Sequence, residues 1–150
     1  MGVALHRLAS LDDAVVLFEV RRRSILELAP PVMSVAAAEA WAGQFALAGM
    51  ERKLRELEIW IAELDSVVTG WGAIRGDTLE ALYTAPEHAG QGIGAALLGL
   101  LEGLMQKRGV NAVRAEASPN ALSFYQRRGY RVTGPKTPDG AWPITKQFPG

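Results

Sequence analysis

Apolar and polar residues alternate loosely over residues 3–8, which predicts a first strand. Ser10, with Asp13 three residues on, is a capping-box variant that opens a helix. Ala14, Leu17, Phe18, Ile25 and Leu28 give that helix an apolar face, and Pro30-Pro31 ends it near Leu28. Ser34 caps a second helix, alanine-rich and carrying Trp41, that ends near Gly49. Residues 58–63 alternate like a strand, Leu64-Asp65-Ser66 suits a hairpin turn, and residues 67–74 return antiparallel. After the turn Arg75-Gly76-Asp77, residues 79–84 form another strand, with Glu80, Leu82 and Thr84 on one face and Leu79, Ala81 and Tyr83 on the other. Ile93, Leu97, Leu100, Leu101, Leu104 and Met105 make the stripe of a long helix that Gly109 closes. Residues 110–117 form a strand, Ser118-Pro119 caps and starts a short helix closed by Gly129, and residues 130–133 and 144–148 supply the last strands. The order βααβββαβαββ predicts an α/β fold, one mixed sheet with helices on both faces.

At 150 residues and 49% hydrophobic composition, one domain spanning 1–150 with a proper core is expected. Lys plus Arg equals Asp plus Glu at 16 each, so no global field favours nucleic acid or an anionic membrane. The absence of cysteine excludes disulfides and thiolate catalysis, and two isolated histidines do not build a metal site alone. The N-terminus has no signal-peptide pattern, which predicts a cytoplasmic protein. The apolar stretch 93–105 is broken by Glu102 and is shorter than the ~20 residues of a membrane span. Its Gly99-x-x-x-Gly103 spacing reads as close helix-to-sheet packing.

Between the strand at 79–84 and the long helix lies Ala85-Pro86-Glu87-His88-Ala89-Gly90-Gln91-Gly92-Ile93-Gly94-Ala95, with alternating glycines. Glycine takes positive φ without strain, so such a turn aims backbone N–H groups at one anion, and the helix start adds its unpaired amides and the positive end of its dipole. The loop is therefore a cradle for a diphosphate. It is not a dinucleotide fingerprint, which would read G-x-G-x-x-G after the first strand, and it lacks the Lys-Ser/Thr of a Walker loop.

This arrangement resembles the GNAT superfamily of acetyl-coenzyme A dependent N-acetyltransferases, whose acceptor motif reads R/Q-x-x-G-x-G/A between a strand and a helix. The resemblance covers nearly the whole chain: Leu79-Glu80-Ala81-Leu82-Tyr83-Thr84 before the loop, residues 89–94 within it, and Asn120-x4-Tyr125-x3-Gly129-Tyr130 after it. It implies a largely antiparallel sheet, acetyl-coenzyme A as cosubstrate, a primary amine of a small molecule or protein as acceptor, and a homodimer through sheet edges or the last strand. Ala89 stands where the family usually has Arg or Gln, so one side-chain contact is lost while the amides of Gln91, Gly92, Ile93, Gly94 and Ala95 remain. This register, preferred over one shifted to Gln91-Gly92-Ile93-Gly94-Ala95-Ala96, puts Gly92 and Gly94 in the turn and starts the helix near Ala95.

The same resemblance implies that the strand ending in Leu82, Tyr83 and Thr84 splays from its neighbour, pairs its backbone with the pantetheine arm, and offers one N–H to the thioester oxygen. Asn120 holds the pantetheine or the surrounding loop, or makes only a local bond. Tyr125 takes the family's tyrosine position as general acid, since a phenol of pKa near ~10 stays protonated at neutral pH and can donate to a leaving thiolate. Glu80 leads as general base, although an ion pair with Arg75 or Arg114 explains it equally; Glu116 is second, and His88 reads better as a spectator. Arg127, Arg128, Lys107 and Arg108 are candidates for the coenzyme phosphates. Arg21-Arg22-Arg23 reads as a solvated face, and Trp41 walls the acceptor pocket or fills the core. A non-catalytic acyl-coenzyme A binding module is the competing function.

Overall fold

A computed structural model describes residues 4–43 and 46–149. Seven strands form one sheet in the order β1-β2-β3-β4-β5-β7-β6. They are β1 (Ala4–Leu8), β2 (Glu58–Leu64), β3 (Val67–Arg75), β4 (Thr78–Thr84), β5 (Ala112–Ala117), β6 (Arg131–Val132) and β7 (Trp142–Gln147). Every neighbouring pair is antiparallel except β4 and β5. The helices are α1 (Ala14–Leu28), α2 (Val35–Ala42), α3 (Leu47–Glu56), α4 (Ile93–Lys107) and α5 (Leu122–Gln126). Val3, assigned above to the first strand, and residues 44–45, assigned to the second helix, lie outside the described residues.

The mixed sheet with helices on both faces is as expected, with one more helix. Gly43, not Gly49, ends α2, and α3 then starts at Leu47 with Gly49 inside it. No side chain caps α3, and a glycine in its first turn imitates a stop signal; its support comes from Met50, fully buried against α1 and the sheet. The caps ahead of α1 and α2 and the end of α4 follow sequence. Asp13 accepts from the Ser10 N–H at 2.8 Å, and Ser34 Oγ accepts from the Ala37 N–H at 3.1 Å. Gly109, at φ 85°, closes α4 in a Schellman motif: its N–H reaches the Gln106 carbonyl and that of Val110 the Met105 carbonyl. Asp65 and Ser66 both take positive φ in the β2–β3 hairpin. At α5 the expectation shifts by about a turn: Ser118 Oγ donates to Asn120 Oδ1 at 2.8 Å instead of capping, and residues 118–121 form a turn ahead of the helix.

Two apolar layers clamp the sheet. On one face α1 and α3 bury Leu17, Met50, Ile59, Ile61 and Trp71, and the Trp71 indole N–H donates to the Leu17 carbonyl at 3.0 Å. On the other, α4 and α5 bury Leu98, Leu101, Met105, Val113, Tyr125 and Ile144. The close approach of α4 is made by sheet glycines, because a Cβ at Gly72 would lie 2.7 Å from Leu101 and one at Gly70 3.0 Å from Ile93. A Cβ at Gly99 or Gly103 would meet nothing within 4 Å, so the expected helix-to-sheet role of that pair is not observed. Among the described residues no helix is long and apolar enough to cross a membrane.

Candidate active site

The site begins with a defect in the sheet. Ala73 of β3 pairs with Ala81, but the next residue, Ile74, pairs with Leu79, so Glu80 is an extra residue in β4. This bulge breaks the alternation expected from sequence: Leu79 and Leu82 face α4 together, while Ala81 and Tyr83 face α1. Where the bulge occurs, the parallel partner ends. β4 and β5 pair only at Thr78 with Arg114 and Leu79 with Ala115, although β4 continues to Thr84 and β5 to Ala117. The Ala85 N–H is bonded to the Thr69 carbonyl at 2.8 Å, so strand alternation turns the backbone groups of Thr84 and Leu82 away from β3 and into the gap.

A cleft of about 610 Å³ fills this gap and passes from the α1–α2 side to the α4–α5 side. At its α4 end stands the glycine turn. Gly90 and Gly92 take φ of 78° and 82°, which a side chain would strain, and α4 starts at Ile93, two residues before the expected Ala95. Gly94 therefore sits in the first helical turn, where a Cβ would approach Thr84 Oγ1 at 3.4 Å and the Phe124 ring at 3.6 Å and narrow the cleft. The first helical bond runs from Ala96 N–H to the Gly92 carbonyl, which leaves the amides of Gly92, Ile93, Gly94 and Ala95 without helical partners. The Gln91 N–H, expected to join them, instead bonds to the His88 carbonyl at 3.3 Å, and its side-chain oxygen lies 3.1 Å from His88 Nδ1. The exposed Ala89 adds no polar side chain.

A family model of the acetyltransferase (GNAT) domain matches residues 29–144. The chain belongs to this family. A GCN5-related N-acetyltransferase of Rhodopseudomonas palustris has the same fold with a TM-score of 0.89 and 28% identity, covering 99% of this chain and 98% of that one. The PaiA N-acetyltransferase of Thermoplasma acidophilum, solved in complex with coenzyme A, aligns with a TM-score of 0.80 and 24% identity over 97% and 99% of the two chains. The peptidyl-lysine N-acetyltransferase YjaB of Salmonella typhimurium is 32% identical over 82 residues, 54% of this chain and 55% of that protein, so the match spans about half the length of the relative.

Within this GNAT domain, the sequence-derived residues separate into those the cleft collects and those it does not. Leu82, Tyr83, Thr84, Ala89, Gly90, Gly92, Ile93, Gly94, Ala95, Asn120, Tyr125 and Glu80 all line it. Tyr125 is buried, packed edge-on between Phe124 and Tyr130 with ring centroids 5.2 and 5.3 Å away. Burial holds its phenol well above the ordinary range, and the proximity of Tyr83 adds to this. Tyr130 is anchored by donating to Glu102 at 2.7 Å, a carboxylate that also accepts from Lys146 at 3.0 Å. Glu80 pairs with Arg75 at 3.2 Å, whereas Arg114 binds Asp77. Glu116 and His88 also reach the cleft.

The proposed phosphate cations divide in two. Arg127 and Arg128 line the cleft, Arg128 with its guanidinium 3.8 Å from the Phe124 ring centroid. Lys107 and Arg108 sit at the opposite end of α4, about 20 Å from the cradle at 1.5 Å per residue, and Arg108 is tied to Glu58 at 2.6 Å. They do not reach the site.

The triple-arginine run is also not uniformly solvated. Arg22 and Arg23 pair with Glu19 and Glu87 at the surface, but Arg21 is 3% exposed and donates to the Ala42 and Trp41 carbonyls at 2.9 and 3.1 Å. Its guanidinium lies 5.9 Å from the Tyr83 ring centroid. Sequence held the signal, since position 21 is four residues from both Leu17 and Ile25 on the apolar stripe.

Proposed function

We propose that the chain is a single-domain N-acetyltransferase that moves an acetyl group from acetyl-coenzyme A to a primary amine by direct attack in a ternary complex. Acetyl-coenzyme A is the cosubstrate and supplies the activated thioester. The reading is carried by one juxtaposition: the amide cradle of residues 92–95 opens into the gap where β4 leaves β5, and Tyr125 stands in that gap.

The unpartnered amides at the start of α4 receive the pyrophosphate, with Arg127 and Arg128 lining the same cleft. The backbone of Leu82 and Thr84 replaces its missing strand partner with the amide groups of the pantetheine arm, and one of these N–H groups stabilises oxygen charge during attack. Asn120, which lines the same cleft, holds the pantetheine arm. The Tyr125 phenol, kept protonated by burial, donates to the departing thiolate. Glu80, held at the bulge beside the gap, takes the proton from the acceptor ammonium through water, with Glu116 as the alternative acceptor. The lysine acceptor of YjaB makes a protein amino group one class to include beside small amines.

The Arg75 ion pair on Glu80 gives the competing reading, a coenzyme-binding module without turnover, a specific footing. Thiol release from acetyl-coenzyme A, followed colorimetrically with a panel of amines and lysine peptides, decides between them. Amine-dependent release is expected; tight coenzyme binding with no release from any acceptor would leave the binding module.

A further inference from the structure

The cleft continues past the β4–β5 gap into an arm away from the cradle, walled by Ser24, Ile25, Leu28, Met33, Trp41 and Tyr83. Apart from one hydroxyl on Ser24 and the polar atoms of Trp41 and Tyr83, this wall is hydrocarbon and aromatic ring. Ile25 and Met33 are buried in a cluster with Ala29, Ala38 and Ala42, so the wall is backed by packed side chains. No carboxylate lines the arm among the described residues; Glu80 and Glu116 line the gap instead. Arg21 packs behind the arm, bonded to the Trp41 and Ala42 carbonyls and close to the Tyr83 ring.

We infer that this arm binds the substituent of the acceptor, and that the acceptor is a monoamine bearing an uncharged alkyl or aryl group. The inference rests on the acetyltransferase reading above. The ammonium head is drawn toward the two carboxylates at the gap, where deprotonation must occur, and the tail leaves water for the apolar arm. A second ammonium on the tail would enter a wall that presents no carboxylate among the described residues, so its desolvation would go uncompensated. Trp41 is the specificity-determining residue, because it supplies the largest flat apolar surface and its position is held through its own carbonyl by Arg21.

The test compares phenethylamine, spermidine and an acetyl-acceptor lysine peptide by thiol release at saturating acetyl-coenzyme A. Phenethylamine is expected to exceed both others by at least about tenfold in kcat/KM, and Trp41→Ala to remove that advantage through KM. Leu28→Glu, which places a carboxylate in the arm without deleting an aromatic, is expected to move preference toward spermidine. Equal or better use of spermidine or the peptide by the unaltered protein would overturn the inference while leaving the acetyltransferase reading intact. A preference for hexanoyl- over acetyl-coenzyme A that Trp41→Ala abolishes would also overturn it, by giving the arm to the acyl chain. Absence of thiol release with every amine would instead overturn the acetyltransferase reading, and the inference with it.

Discussion

Leu79 and Ala115 form the last paired position between β4 and β5, and the bulged residue Glu80 follows immediately. A parallel pair that continued would close the sheet and satisfy the Leu82 and Thr84 backbone groups internally. The bulge turns β4 away, and Tyr125 from α5 packs in the space beyond. The opening is thus made by strand pairing, and the phenol is presented to it by packing.

The phenol is expected to act in the chemical step and not in coenzyme binding. Tyr125→Phe keeps the ring contacts with Phe124 and Tyr130, so the fold and the cradle should persist. Removal of a general acid should lower kcat by about 10²-fold or more. Steady-state kinetics paired with calorimetry of coenzyme binding checks this, and a variant with undiminished kcat would remove Tyr125 from the mechanism.

Close packing of α4 on β3 should make two glycines unequal. A Cβ at Gly70 would lie 2.8 Å from the Tyr83 carbonyl, which is backbone, whereas at Gly72 the nearest atom is the tip of Leu101. Gly70→Ala should therefore cost ~1–3 kcal/mol and disturb β4 beside the cleft, and Gly72→Ala about 1 kcal/mol, because a leucine rotamer yields more easily than a strand. Urea unfolding of the two variants measures the order; a more damaging Gly72→Ala would contradict it.

These contrasts mark what was legible in the sequence. The Ser34 cap and the glycine turn are local patterns that the structure keeps, α4 starting two residues early, whereas the cap read at Ser118 is lost and the helix of Tyr125 starts about a turn later. The bulge at Glu80 was not legible, because an extra residue in a strand is defined only by its partner's register. Neither was α3, which depends on Met50 meeting the core more than on any cap. Arg21 was hidden by its two surface neighbours, although its place on the apolar stripe was available.

Alkaline pH should separate activity from stability. Burial holds the Tyr125 phenol above the ordinary value, so it is still a donor as the acceptor ammonium, of pKa ~10, begins to lose its proton. The rate should rise toward pH ~10 with no descending limb from the phenol below that value. Stability has the opposite sign. Tyr125 and Tyr130 are both raised by burial, so their contribution is complete below the unfolded phenol's ~10. It falls as pH climbs through the folded values, where the unfolded chain ionises first. Urea midpoints at pH 8 and 10.5 should show this loss, and Tyr125→Phe should reduce it; a midpoint rising with pH over that interval would contradict the assignment.

Arg21 should couple the core of α1 to the acceptor wall. Its guanidinium satisfies two of the last carbonyls of α2, at Trp41 and Ala42, in a position 3% exposed where water is a poor substitute. Arg21→Met keeps much of the stem's volume but leaves those carbonyls without that donor, at ~1–3 kcal/mol of stability. Because one carbonyl belongs to Trp41, loosening this end of α2 also frees the indole wall. KM for the amine should rise while coenzyme affinity, which we assign to residues 92–95 at the far end of the cleft, stays constant. Arg21→Lys should recover only part of both effects, since an ammonium on a flexible stem does not reproduce a planar fork spanning two carbonyls. Unfolding curves, amine KM and coenzyme titration on the two variants together test the coupling, and an Arg21→Met protein that loses stability with an unchanged amine KM would restrict Arg21 to the fold.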